Sequence, residues 1–203
     1  MVISNIKQTS PGRLTVVFDN GEEVKTTLGA VTELRLFSGK ELDREQMTEF
    51  RLLSLRALAR EKALEILSKR PMSRAELRKK LLEKGEDEET AEYCVNWLAE
   101  NGFINDESYA AAVVRHYTAK GLGAQRIKTE LVKRGISREL WGEALEAAPD
   151  NSAKIDKFIS SRLTDPKDRA QVGKISQALY RRGFSWEEIR QALARFSAEV
   201  EEE

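Results

Sequence analysis

KGLGAQRIKTELVKRGIS, residues 120–137, contains a Gly-x-Gly, several basic residues and a run with helical spacing. Such a stretch either cradles a phosphate, as in a nucleotide enzyme, or separates two helices. Two other stretches bear on the choice. Residues 77–85 read LRKKLLEKG and residues 175–183 read ISQALYRRG, beside IKTELVKRG at 127–135. Each ends in glycine, at Gly85, Gly135 and Gly183, spaced 50 and then 48 residues apart. Eight residues before each glycine stands Leu77, Ile127 or Ile175; four before stands Leu81, Leu131 or Leu179. That i, i+4 pair marks one helix face. A glycine just past it is a helix stop, because glycine takes the left-handed conformation at little cost.

The agreement continues beyond the glycines. Six residues on come Ala91, Trp141 and Ile189; nine on come Cys94, Ala144 and Ala192; ten on come Val95, Leu145 and Leu193. Thirteen on come Phe196 and, more loosely, Leu98 and Ala148. These offsets form one amphipathic stripe. Asp87, Ser137 and Ser185 stand two after their glycines, where an N-cap belongs, and Ser185 with Glu188 and Ser73 with Glu76 spell capping boxes. A third helix precedes each pair. It carries Leu64 and Leu67 in the first copy, and Tyr109, Val113 and Tyr117 with Ala110 and Val114 in the second. In the third copy it carries Ile155, Phe158, Ile159 and Leu163. Each unit of about 48 residues is therefore three helices, too short to stand alone and held by packing. Tandem units of this length predict an elongated array.

Residues 1–57 differ. RLTVVFDNGEEVKTTL alternates apolar and polar residues around Asp19-Asn20-Gly21, a strong hairpin signal, and VISNIKQ before it supplies a third strand. GAVTELRLFSG reads as a short helix ended at Gly39, and a long helical pattern without glycine or proline runs from about Asp43 to Arg70. The small sheet needs these helices, since two or three strands alone are barely stable. The predicted fold is mainly α, with tandem three-helix repeats after a small N-terminal antiparallel sheet and helix. Its segments are 1–57, 58–104, 105–150 and 151–203.

Of the 203 residues, 40% are hydrophobic and 33% charged, as suits thin helical layers with much surface. Lys+Arg and Asp+Glu number 34 each, so net charge gives no argument for nucleic acid and local clusters matter more. One cysteine excludes an internal disulfide, and one cysteine with one histidine speaks against a structural zinc site. No apolar run reaches membrane-spanning length, and MVISNIKQTSPG lacks the pattern of a signal peptide. A cytoplasmic monomer without cofactor or metal is expected.

The chemistry of a catalytic site is missing too. Gly121-Leu122-Gly123 lacks the spacing, lysine and hydroxyl of a Walker loop, and the third glycine and preceding strand of a Rossmann fingerprint. The same slot holds Pro71-Met72-Ser73 in the first copy and Thr164-Asp165-Pro166 in the third, so it reads as a helix-to-helix turn. His116 has no partner nucleophile in a fitting motif. Cys94 occupies a slot held elsewhere by alanine and reads as core. The acidic run GEDEETAE at 85–92 reads as a solvated helix start. No enzyme activity is expected.

What remains is surface. Basic clusters fall in or near the middle helix of each unit. They include Arg78, Lys79 and Lys80 in the first, Arg126, Lys128, Lys133 and Arg134 in the second, and Lys174, Arg181 and Arg182 in the third. In matching slots they would form a discontinuous basic track. The helix dipole explains Lys84, Lys133, Arg134, Arg181 and Arg182 as readily as a partner does. Arg78, Lys79, Lys80, Arg126 and Lys128 lie further from the helix end, and the dipole explains them less well.

NDESYAAAVVRHYTAKGLGAQRIKTELVKRGIS, residues 105–137, closely resembles the central motif of the RecX family, bacterial regulators of the recombinase RecA. MSRAELRKKLLEKG and ALYRRGFSWEEIRQAL resemble its flanking repeats, and the likeness covers about residues 58–196. Its most specific positions are Arg115, Gly121, Gly123, Arg126, Ile127, Leu131 and Gly135. The chain departs from the pattern at Tyr109, often Phe, and at Glu86, where an aromatic is common. The resemblance implies a curved, elongated molecule that lies in the groove of the helical RecA–DNA filament and inhibits ATP hydrolysis and strand exchange. It also implies a place in DNA repair and the SOS response. The partner candidates are then Arg78, Lys79, Lys80, Arg115, Arg126, Lys128, Lys133, Arg134, Lys174, Arg181 and Arg182. Single- or double-stranded DNA is a further partner. The alternative is a helical module that binds DNA directly, its helix pairs entering a groove without the recombinase.

Overall fold

The Asp19-Asn20-Gly21 turn forms as its sequence predicts. In the computed structural model, which describes the backbone of residues 1–202 and the side chains of residues 1–198, strand β2 (Arg13–Phe18) enters it and β3 (Glu23–Thr27) leaves it. Asn20 Oδ1 accepts from the Glu22 N–H at 2.9 Å, an Asx turn that holds the reversal. The third strand is present as β1 (Ile3–Ser10), giving an antiparallel sheet of order β1-β2-β3. Ile3, Val16 and Phe18 are buried with Leu42, Met47 and Phe50, and the Phe18 and Phe50 rings meet at 6.2 Å. One face of the sheet is thus closed by helices, which a three-stranded sheet requires.

Thr27 caps the short helix α1 (Leu28–Glu33). The expected stop at Gly39 is corrected here: the helix ends six residues earlier, and Arg35, at φ +49°, turns the chain. Burial of Leu36 drives this, its N–H closing on the Val31 carbonyl at 2.9 Å. Gly39 instead brings the chain back onto β1, with its N–H 2.7 Å from the Ile3 carbonyl.

Helix α2 (Arg44–Leu67) starts at a capping box of Asp43 and Gln46. Its first half packs on β3 and α1. Its second half packs on α3 (Arg74–Glu83) and α4 (Glu88–Glu100), so one helix runs unbroken through position 57. Ala59, Ala63 and Ile66 are its buried contribution there. Leu64 and Leu67, expected to carry the face, are only half-buried at the edge. Small alanines let α2 and α4 approach closely.

The chain folds as two compact units, Met1–Ile104 and a second that begins at Asn105. The second holds α5 (Asp106–Ala119), α6 (Ala124–Lys133), a 3₁₀ turn (Arg138–Leu140) continuing as α7 (Trp141–Glu146), α8 (Ser152–Ser160), α9 (Arg169–Arg181) and α10 (Trp186–Glu202). Two cores fill it, one around Val114, Ile127 and Leu131, the other around Ile159, Leu179 and Ile189.

The three stop glycines share one geometry. Gly85, Gly135 and Gly183 have φ of +89°, +62° and +92°. In each case the next residue's N–H returns to the carbonyl of the buried leucine five before it: Glu86 to Leu81, Ile136 to Leu131 and Phe184 to Leu179, at 3.1, 3.2 and 3.3 Å. This is the Schellman bond pattern, and it satisfies the helix's last carbonyls. Ile136 and Phe184 bury the following side chain. Glu86 breaks that pattern, and its carboxylate is instead covered and paired with the Lys62 ammonium. Asp87, Ser73 and Ser185 cap their helices as expected. Ser137 does not: it precedes the 3₁₀ turn and its hydroxyl makes no cap bond.

Candidate partner-binding surface

The eleven candidate cations divide by what their charge already meets. Arg78, on α3, reaches across to α4, pairing with Glu88 and with Glu92 at 3.2 Å. Lys79 lies 3.9 Å from Glu83, one turn on. Lys80, half-buried, has no ion pair among the described residues. Acids of α4 and of α3 itself therefore neutralise Arg78 and Lys79.

Lys133 and Arg134 are held by a buried acid. Glu130 is 9% exposed and accepts from Lys133 Nζ at 2.9 Å, Arg134 Nη1 at 2.9 Å and the Tyr117 hydroxyl at 3.1 Å. Arg134 also donates to the Tyr117 oxygen at 3.1 Å and to the Glu130 carbonyl at 2.8 Å. Hydrogen bonds from the Arg134 guanidinium and then the Lys133 ammonium bring the Glu130 carboxyl down to about 2. The sequence reading passed over Glu130 and placed Tyr117 on a helix face without this polar role. The i, i+4 spacing of Glu130 and Arg134 was its available signal.

The Gly-x-Gly stretch serves two purposes. Gly121 turns the chain at φ +72°. Gly123 has an ordinary φ of −82°, but a Cβ there would lie 2.3 Å from the Gly183 carbonyl oxygen. The Gly123 N–H donates to the Arg182 carbonyl at 2.9 Å, and the Gln125 N–H to that of Gly183 at 3.1 Å. The C-terminal end of α9 thus supplies acceptors to the N-terminal end of α6, which has no side-chain cap. The turn is more than punctuation, because it joins the second three-helix set to the third.

That junction brings the start of α6 against the end of α9. Exposed Arg126 and Arg181 line one groove with Gln125 and Thr129. On its rim Tyr180 and Trp186 stack at 4.9 Å and 18°, 53% and 50% exposed. The sequence reading did not select these two aromatics. Arg182 turns elsewhere, its guanidinium 4.5 Å from the Phe158 ring centre. Arg115, Lys128 and Lys174 have no ion pair among the described residues.

Cys94 and His116 sit in unlike settings. Cys94 is fully buried, and burial, with the Glu86 carboxylate adding to it, pushes its thiol up to about 11. His116 is exposed and sits edge-on to Tyr117. No helix among the described residues is long and apolar enough to cross a membrane.

Comparison with known proteins accounts for this arrangement. Residues 59–98, 105–145 and 160–193 match the first, second and third three-helix domains of RecX. Regulatory protein RecX of Chromohalobacter salexigens is 33% identical over 140 residues, which are 68% of this chain and 92% of that protein. Regulatory protein RecX of Xanthomonas axonopodis pv. citri is 36% identical over 142 residues, 68% of this chain and 87% of that one. A crystal structure of regulatory protein RecX superposes with a TM-score of 0.76 at 26% identity, covering 94% of this chain and 98% of the other. RecX from Lactobacillus salivarius gives 0.65 at 26% identity, over 71% and 97%. The three tandem helix sets, their shared glycine stops and these matches together place the chain in the RecX family.

Proposed function

We propose that this protein is a non-catalytic regulator of the RecA recombinase. It binds the RecA–DNA filament in its helical groove and lowers ATP hydrolysis and strand exchange. Membership of a regulatory-protein family through all three helical domains carries the reading. The surface supports it. Arg126 and Arg181 beside the exposed Tyr180–Trp186 stack supply the residue types that dominate protein contacts. Repeated modules also suit a polymer, since linked weak contacts on successive subunits raise each other's effective concentration.

The test is a titration of this protein into RecA filaments at fixed DNA and nucleotide, following ATP hydrolysis and strand exchange. Both should fall as it is added, and it should sediment with the filaments. Unchanged rates at saturating protein would sink the reading.

A further inference from the structure

A second pocket, of about 290 Å³, opens on the other side of the α6–α9 junction and is lined by cations. Lys120 and Gly121 form one wall, α8 with Lys154, Lys157 and Phe158 another, and Arg162 and Arg182 the remainder. Five basic side chains face it, and no acidic side chain among the described residues lines it. None of the five makes an ion pair among the described residues, although acids equal bases in this chain and Arg78 and Lys79 of the first basic cluster are paired with neighbouring acids.

Three of the cations, Arg162, Arg182 and Lys154, are held in place. Arg162 and Arg182 both pack on Phe158, at 4.0 and 4.5 Å from its ring centre. Two guanidinium groups are thus fixed around one ring, their mutual repulsion unrelieved by any carboxylate among the described residues. The Lys154 ammonium donates to the Thr118 and Ala119 carbonyls at 2.8 and 2.7 Å, leaving one of its three donors unused. Gly121 lies against both groups: a Cβ there would meet Arg182 Nη1 and Lys154 Cδ, each at 3.9 Å. Positive charges fixed by a ring, by helix-end carbonyls and by a tight turn make a preorganised anion site, one whose ordering precedes the ligand's arrival.

We propose that this pocket binds a phosphate group. A carboxylate would bring one charge to five cations. Phosphates in series, as in a nucleic-acid backbone or a nucleoside polyphosphate, bring several, and their oxygens match the forked donors of Arg162 and Arg182. The site stands apart from the recombinase reading, because its assay contains no recombinase.

The experiment uses the full chain with two probes, inorganic tripolyphosphate and a fluorescein-labelled oligothymidylate, at about 50 and about 200 mM salt. Wild type should bind, more weakly at the higher salt. Lys157→Glu with Arg162→Glu should weaken binding by about tenfold or more, whereas Lys167→Glu with Arg169→Glu, the same charge change outside the pocket, should not. Loss for both probes supports a general phosphate site. Loss for the oligonucleotide alone, with tripolyphosphate not bound, assigns the phosphate to a strand. Loss for tripolyphosphate alone assigns it to a free polyphosphate. Equal losses in the two variants, or no binding by wild type, overturn the proposal. Should the first variant lose its helical signal, amide NMR shifts of the wild type decide. On adding tripolyphosphate, Gly121, Phe158 and Arg182 should move; shifts confined to other residues would overturn the site.

Discussion

Gly123 and Gly121 are two residues apart, yet different physics fixes each. Gly121 needs its positive φ, with nothing closer than 3.9 Å to an added Cβ. Gly123 needs the absence of a side chain, because backbone atoms of Gly183 and Phe184 stand at 2.3 and 2.4 Å. Asparagine tolerates the left-handed region and is bulky. Gly121→Asn should therefore lower unfolding stability by about 1 kcal/mol or less. Gly123→Asn should cost about 3 kcal/mol, since backbone must move. Urea denaturation of the two variants gives the comparison, and equal losses would show that the close approach is not what holds the junction. Glu130 makes a pH prediction. Its carboxyl sits at about 2, below its ordinary 4.5, so folding favours the ionised form. That contribution is complete above about pH 4.5 and drains away as pH falls toward 2. Glu130→Gln should lower stability at neutral pH by about 1–3 kcal/mol and flatten the loss between pH 4.5 and 2. Parallel acid limbs for the variant and wild type would contradict the network.

At the scale of elements, the closing helix of each three-helix set differs in build. α10 starts with a complete capping box, the Ser185 N–H to Glu188 Oε2 at 2.6 Å and the Glu188 N–H to Ser185 Oγ at 3.2 Å. The 3₁₀ turn before α7 has only Ser137, unbonded. Ser185→Ala should thus lower the thermal stability of the second unit by about 1 kcal/mol, while Ser137→Ala stays within about 0.5 kcal/mol. A reversed order would mean that the caps contribute little. The repeat was legible in the sequence because its marks are local: a leucine, a glycine four later and a stripe beyond. The brevity of α7 was harder to foresee. Gly142 weakens helix early in the segment and Pro149 disfavours helix just before it, and neither alone is decisive. The basic residues were legible by identity but not by what they meet. Arg78 finds Glu88 and Glu92 only because α3 and α4 cross there. Gly123 meets Gly183, sixty residues on, only because α6 and α9 dock end to end. Such pairings belong to packing, and no short window of sequence contains them.

For the whole molecule, equal numbers of acidic and basic residues mean that net charge cannot steer it to an anionic polymer. Any attraction must come from places where cations outlast their local partners, and screening confines each to ~8–10 Å at cellular salt. Arg126 and Lys128 are such a place. They flank buried Ile127, which fixes the helix face, and neither has an ion pair among the described residues. Lys133 and Arg134, on the same helix and just past its end, are bound to Glu130. Two charge reversals of equal size should therefore act on different properties. Arg126→Glu with Lys128→Glu should raise the protein concentration that halves filament ATP hydrolysis by about tenfold or more, equivalent to about 1.4 kcal/mol. Helical circular dichroism and the thermal midpoint should stay at wild-type values. Lys133→Glu with Arg134→Glu should lower the midpoint first, because it strands a buried carboxylate among new ones. If the Arg126 and Lys128 variant loses helical signal in step with inhibition, those residues serve folding and the contact surface must be sought elsewhere on the chain.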